Sequence, residues 1–236
     1  MKPTGALRNK IFCPNPAQIC YPDDMDSETG KGSALSTDDL LKAYTLGYFP
    51  MSEGRHDTEV FWVLPEHRGA LLLEEFHIPR SLRKIVRRDA FDVRVDSRFR
   101  DVMYECAAER TGREDTWINQ RILDTYCELH AMGFAHSVEC FQGGELVGGL
   151  YGVSLGGAFF GESMFSNVTD ASKVALVHLV GRLNAGGYTL LDTQFYTPHL
   201  GQFGVTEVPK ITYQKLLDEA LSRQGRFSAL PQSVDG

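Results

Sequence analysis

Leu190-Leu191-Asp192-Thr193-Gln194 follows a Gly186-Gly187 break and Tyr188, so a short buried strand over 188–192 leads to a carboxylate and an amide two positions apart. Side chains two apart on a strand project from one face, and strand ends beside helices are where sites in α/β proteins collect. A carboxylate hydrogen-bonded to an amide can turn that amide's carbonyl toward an attacking amine, which positions the nucleophile and draws on its proton. A strand-end capping pair is the other reading.

Upstream, Gly148-Gly149-Leu150-Tyr151-Gly152 and the run from Phe159 to Phe165 put glycines and aromatics on adjoining strands. Such strands suit a large apolar pocket or, equally, a glycine-bent sheet with an aromatic core. Glu162 lies inside the second run and must be hydrogen-bonded or ion-paired if buried. An amine, from substrate or from Lys173, would satisfy it. Ser163 is not a nucleophile-elbow serine, because Phe165 stands where GxSxG requires glycine.

A third constellation is cationic. Arg80, Arg83, Lys84, Arg87 and Arg88 recur at helical spacing, while Leu82, Ile85 and Val86 fall on the other side. An ordinary solvated face is one reading. Like charges at i, i+4 cost ~0.2–0.5 kcal/mol per pair, and no interleaved carboxylate relieves them, so a phosphate backbone is the other.

The elements that must position these groups are marked by period and punctuation. Ser36 and Asp39 form a capping box for a helix whose apolar face is Leu40, Leu41 and Tyr44 and which Gly47 stops. Residues 60–64 and 70–73 read as strands. Phe99, Val102, Met103 and Cys106 mark a second helix, and Ile118, Ile122, Tyr126 and Leu129 a third. Three strands over 135–141, 145–154 and 158–164, parted by Gly143-Gly144 and Gly156-Gly157, read as an antiparallel meander. Asp170 caps a long apolar helix to Leu183, and a last helix covers 213–221. The fold class is therefore mixed α/β (α+β).

Composition bounds the function. At 236 residues and 42% hydrophobic content the chain buries a sizeable core. No apolar run reaches the ~18 residues of a membrane span, and the N-terminus lacks an export signal, so a cytoplasmic protein with no membrane partner is expected. Cys13, Cys20, Cys106, Cys127 and Cys140 are odd in number with no CxxC, which reads as reduced structural thiols. No HExxH or ligand-spaced cluster signals a metal. A net charge of -7 argues against indiscriminate nucleic-acid binding but not against a local basic stripe.

Several strings in order, namely AYTLGYFP, TWI at 116–118, LH followed by G-F-AHSVE, LVGGLYGV, FFGESMFS, ASK at 171–173 and LLDTQ with a later HL, resemble the leucyl/phenylalanyl-tRNA–protein transferase family over about residues 40–221. Met51 stands where tryptophan is usual, Leu150 where methionine is common, and Val63-Leu64 where Trp-Ser is usual.

Residues 1–35, rich in Pro, Gly, Asp and Ser without a sustained period, read as a flexible arm and the elements after it as a small N-terminal α/β domain at 36–68, while the resemblance implies that the catalytic domain at 69–236 is similar to the GNAT acyltransferases. It implies transfer of Leu, Phe or Met from aminoacyl-tRNA (Leu-tRNA, Phe-tRNA) to the α-amine of acceptor proteins with N-terminal Arg or Lys, marking them for degradation; a monomer is expected, with no cofactor and no metal.

By the same resemblance Asp192 holds Gln194, whose carbonyl accepts from the attacking amine, or else the substrate's ribose hydroxyl relays the proton. Trp117 stacks on the terminal adenine. Glu162, Phe159, Leu150, Leu176 and Leu179, with Met51 and Ser163, form the aminoacyl- and adenosine-binding set. Arg80, Arg83, Lys84, Arg87 and Arg88 grip the acceptor stem through phosphates. β-Branched side chains should fit the pocket poorly.

Two other classes are weighed. An acyl-coenzyme A N-acyltransferase would need a Gly-rich loop opening a helix, and the long helix opens on Asp170-Ala171-Ser172 instead. A non-catalytic RNA-binding module rests on the basic helix and scattered aromatics alone, with no recognisable RNA-binding motif elsewhere.

Overall fold

The computed structural model describes residues 35–109 and 115–231. Apart from Leu35, the expected N-terminal arm, with Cys13 and Cys20, lies outside them.

The capping box forms: Ser36 Oγ accepts the Asp39 backbone N–H at 3.1 Å, and Asp39 Oδ2 accepts from Ser36 Oγ at 2.6 Å. Helix α1 (Thr37–Thr45) starts there and buries Leu40, Ala43 and Tyr44. Gly47, at φ +84, turns the chain into β1 (Phe49–Met51), which pairs antiparallel with β2 (Phe61–Val63) in a two-stranded sheet.

The next strand, β3 (His67–Leu72), starts earlier than expected and joins a different sheet. After it come α2 (Arg80–Val86), β4 (Asp92–Val95), α3 (Phe99–Ala107), α4 (Gln120–Ala131), β5 (Ala135–Gln142), β6 (Glu145–Leu155), β7 (Ala158–Ser166), α5 (Ala171–Ala185), β8 (Leu190–Gln194), α6 (Pro198–Gly201), β9 (Thr206–Pro209) and α7 (Lys210–Leu221). The class is mixed α/β. Seven strands among the described residues form one sheet in the order β4-β5-β6-β7-β8-β3-β9.

The meander reads as expected, because its turns are local. Gly143 and Gly144, at φ +61 and +86, join β5 to β6 through the Gln142–Glu145 pair, a conformation that other residues reach only with strain. The amphipathic helices also form where their periods place them. Ile118 lies just outside α4, since Asn119 is its N-cap and accepts the Ile122 N–H at 2.8 Å.

Asp170 departs from its reading. It occupies the N-cap position of α5 at φ +68 without a side-chain cap bond, and its carboxylate pairs with Lys173 Nζ at 2.6 Å. Strands β4 and β9 and helix α6 were not anticipated; at four residues each, they are too short to show a period.

The sheet separates two cores. One face packs against α1, α3, α4 and α7 around Tyr44, Phe49, Tyr126, Tyr151, Phe160 and Tyr213. The other packs against α5 around Leu150, Phe159, Leu176, Leu179, Leu191 and Phe227. Among the described strands only β7 and β8 run parallel, and they pair over just three positions, Ala158–Phe160 with Leu190–Asp192. Beyond Phe160, β7 continues to Ser166 without a strand partner on that side among the described residues. No helix among the described residues is long and apolar enough to cross a membrane.

Candidate active site

Strand β8 alternates as its sequence predicts. Leu191 enters the α5 core, while Asp192 and Gln194 face the other way, 0% and 6% exposed. All four acceptor positions of the Asp192 carboxylate are used. Oδ1 accepts from Arg68 Nε at 2.9 Å and from the Gln194 backbone N–H at 2.8 Å. Oδ2 accepts from Arg68 Nη2 at 2.7 Å and from the Tyr213 hydroxyl at 2.5 Å.

The Asp192 and Gln194 side chains are therefore not bonded to each other, contrary to the sequence reading. Asp192 holds the backbone of Gln194 instead. Gln194 adopts a left-handed φ of +56, which turns its amide away, and its Nε2 donates to Glu162 Oε1 at 3.2 Å.

Arg68 is the largest fully buried side chain of the described residues. It lies between the Phe49 and Tyr213 rings, 4.7 Å from each centroid, and Nη1 donates to the Gly47 carbonyl at 2.9 Å. Burial works against its charge, but Asp192 outweighs that and raises the guanidinium above its ordinary pKa. Burial and the neighbouring Asp192 carboxylate push the Tyr213 hydroxyl well up, which keeps it a donor. Next to Arg68, Gly69 is required by space, since a Cβ there would sit 2.5 Å from the Phe195 carbonyl carbon.

Glu162 owes its aim to a β-bulge. Tyr151 pairs with Ser163 and the next residue, Gly152, pairs with Gly161, so Glu162 is the extra residue of β7. Bulges re-aim side chains in this way. Its carboxylate swings to the α1/α4 side and accepts from Tyr44 at 2.6 Å, Tyr126 at 3.2 Å and Gln194. The Tyr44 and Tyr126 hydroxyls also bond each other. Burial pushes the Glu162 carboxyl up to about 7, the Tyr44 hydrogen bond opposing. Burial and the charge of Glu162 raise both tyrosines. The amine suggested for Glu162 is not Lys173, which is committed to Asp170.

The remaining sequence-derived residues divide between the two faces. Trp117 and Met51 are partly buried at the edge of the core that holds Tyr44 and Phe49. The Trp117 carbonyl accepts from Ser52 Oγ, next to Met51, at 2.7 Å. Ser163 pairs with Tyr151 on this face. Leu150, Phe159, Leu176 and Leu179 lie behind the sheet and are at most 3% exposed. The glycines of β6 serve packing. A Cβ at Gly148 would meet that of Ala171 at 2.4 Å, and one at Gly152 would meet the Phe160 carbonyl oxygen at 2.2 Å.

Helix α2 exposes Arg80, Arg83 and Lys84 above buried Leu82, but it ends at Val86, so Arg87, its C-cap, and Arg88 are exposed just beyond it instead of on one continuous helix face. None of the five pairs with a carboxylate among the described residues. Cys106 and Cys140 are buried and in no disulfide among the described residues, and burial pushes Cys140 up to about 12. No group of three metal-ligating side chains forms among the described residues.

Sequence reasoning missed Arg68, Tyr44, Tyr126 and Tyr213 as site residues. A signal existed for Arg68, a lone cation heading the run Gly69-Ala70-Leu71-Leu72-Leu73. Both tyrosines on α1 and α4 read as apolar-face residues, which overlooked their hydroxyls.

The mixed α/β fold thus places a buried, fully bonded carboxylate beside a turned-out amide and a buried glutamate where the parallel β7–β8 pairing stops. A family model described as leucyl/phenylalanyl-tRNA protein transferase matches residues 70–218, and one for the N-terminal domain of the same transferase matches 33–66. The chain belongs to this family of aminoacyltransferases. It is 60% identical over 201 residues to the leucyl/phenylalanyl-tRNA–protein transferase of Phenylobacterium zucineum (strain HLK1), covering 84% of this chain and 91% of that one. The proteins of that name from Caulobacter vibrioides (strain NA1000 / CB15N) and Maricaulis maris (strain MCS10) are 56% and 54% identical, each covering 86% of this chain and 94% of the relative.

Proposed function

We propose that the chain moves Leu, Phe or Met from the 3′ ester of an aminoacyl-tRNA to the N-terminal α-amine of proteins that begin with Arg or Lys, marking them for degradation. The carrying observation is the placement of Gln194. Its backbone is tied to Asp192 and its Nε2 to Glu162, which leaves Oε1 as the free acceptor of that side chain, beside the end of β7–β8 pairing.

In this reading Gln194 Oε1 orients the acceptor amine. The amine forms the C–N bond as the C–O bond to the ribose breaks, and the leaving ribose oxygen takes up the proton. The ester supplies the driving force, so neither ATP nor coenzyme A enters.

Trp117 and Met51 hold the terminal adenine on the same face. The aminoacyl side chain enters beside Glu162 and Ser163, where β7 and β8 no longer pair. Leu150, Phe159, Leu176 and Leu179 back that entrance and must yield to admit it, since they are closed in the free protein. A β-branched side chain is widest where the entrance is narrowest, so Ile and Val are poor donors. The face of α2 grips the acceptor stem. Residues 36–68 form the N-terminal unit and 69–236 the catalytic one.

An acyl-coenzyme A donor is disfavoured by the start of α5. The Ala171 N–H is bonded to the Val168 carbonyl and the Ser172 N–H to Ser166 Oγ, and Gly148 closes against Ala171. A pyrophosphate would have to displace these bonds.

The test is incubation of purified protein with Leu-tRNA and a peptide bearing N-terminal Arg, without ATP or coenzyme A, read by mass spectrometry. Many turnovers of leucyl-extended peptide, lost in Gln194→Ala, support the reading. Extension that appears only once acyl-coenzyme A is supplied overturns it.

A further inference from the structure

Asp192 has two oxygens and four donors on them, one from each of Gln194 and Tyr213 and two from Arg68. A carboxylate offers about four lone-pair sites, so none is left for the side chain of Gln194 or for an incoming amine. Neither Arg68 nor Tyr213 can shift readily. Arg68 is 1% exposed, held between two rings and anchored to the Gly47 carbonyl, and Tyr213 is 1% exposed on α7.

The one partner that needs holding is Gln194. Its φ of +56 lies in the left-handed region that a residue with a side chain enters only under constraint. The N–H that it gives to Asp192 Oδ1 supplies that constraint.

We propose that Arg68 and Tyr213 are positioning residues for the reaction. They fix Asp192 as a clamp on the Gln194 backbone, and the clamp holds the Gln194 amide at the place where the amine must attack. Asp192 takes no part in moving the proton. This rests on the reading above that Gln194 orients the acceptor amine.

The division of labour has a structural logic. The two-donor grip of Arg68 fixes the plane of the carboxylate, and Tyr213 fixes its rotation within that plane. Gln194 receives the remaining lone pair of Oδ1 at 2.8 Å. If Arg68 or the Tyr213 hydroxyl is removed, the carboxylate gains freedom and the left-handed turn is held less firmly.

Tyr213→Phe removes one hydroxyl and leaves the ring that Arg68 stacks on. In the full chain, kcat for leucyl transfer to an Arg-peptide should fall about ten-fold, with KM for Leu-tRNA unchanged within about two-fold. The Gln194 amide, followed by NMR hydrogen exchange, should exchange about ten-fold faster. Asp192→Asn, which is isosteric but turns an N–H₂ toward a donor, should give the same pair of effects. An unchanged kcat in both variants, a loss carried by KM, or a lower kcat with unchanged Gln194 exchange overturns the proposal. A wild-type protein without leucyl transfer overturns the functional reading instead, and the exchange measurement then still tests the clamp.

Discussion

Gln194 is held at both ends by different carboxylates: its backbone N–H lies 2.8 Å from Asp192, and its side-chain Nε2 lies 3.2 Å from Glu162. The two contacts come from different strands and fix one residue between them. The placement of Gln194 is thus a property of the meeting of β7 and β8.

Removing one member of the buried ion pair should cost more than the pair contributes. Arg68→Met leaves Asp192 charged and without its main partner, and the expected loss of stability is about 3–5 kcal/mol by urea unfolding. Adding Asp192→Asn should return part of that loss, because no buried charge is then stranded. A double variant as unstable as the sum of the singles contradicts this account.

The carboxyl of Glu162 gives stability a definite pH dependence. Folding raises it from 4.5 to about 7, so the folded state holds the proton more tightly. Its contribution is full below about pH 4.5 and lost as pH rises through about 7. Glu162→Gln removes the dependence, and the wild type should compare better with the variant at about pH 5 than at about pH 8. Chemical denaturation at both values decides the sign.

Gly69→Ala should be damaging although the side chain is small. The added carbon meets the Phe195 carbonyl carbon at 2.5 Å and the Tyr196 nitrogen at 2.6 Å, both backbone atoms. Strands β3 and β8 would have to part beside Gln194, at a cost of about 1–3 kcal/mol and with a fall in kcat. A variant with wild-type melting temperature and rate contradicts the close approach.

At the C-terminal end of α2, the triple variant Arg83→Ala, Arg87→Ala, Arg88→Ala should leave stability within about 0.5 kcal/mol, because all three are exposed. If they contact phosphates, the slope of log affinity against log salt for aminoacyl-tRNA should flatten by roughly 2 to 3. An unchanged slope restores the solvated-face reading.

What the sequence made legible was local. The capping box, the glycine hairpins and the apolar stripes of α3 and α4 depend on residues a few positions apart. Alternation likewise put Asp192 and Gln194 on one face. It could not show that Gln194 turns left-handed, which exchanges a side-chain contact for a backbone one. Nor could it show the bulge at Glu162, since period counting assumes an unbroken strand. The role of Arg68 was hidden by distance, because its partner lies 124 residues away.

That distance bears on how the protein comes into being. Arg68 ties together the Gly47 carbonyl at the end of α1, β3, the β8 carboxylate and a ring on α7. During synthesis, residues 35–191 can be complete while Arg68 still lacks its counter-ion, and Asp192 awaits the hydroxyl of Tyr213 for a further 21 residues. The Arg68–Asp192–Tyr213 cluster is thus among the last things the ribosome finishes, and a chain stopped short of α7 has most of the sheet but not that cluster.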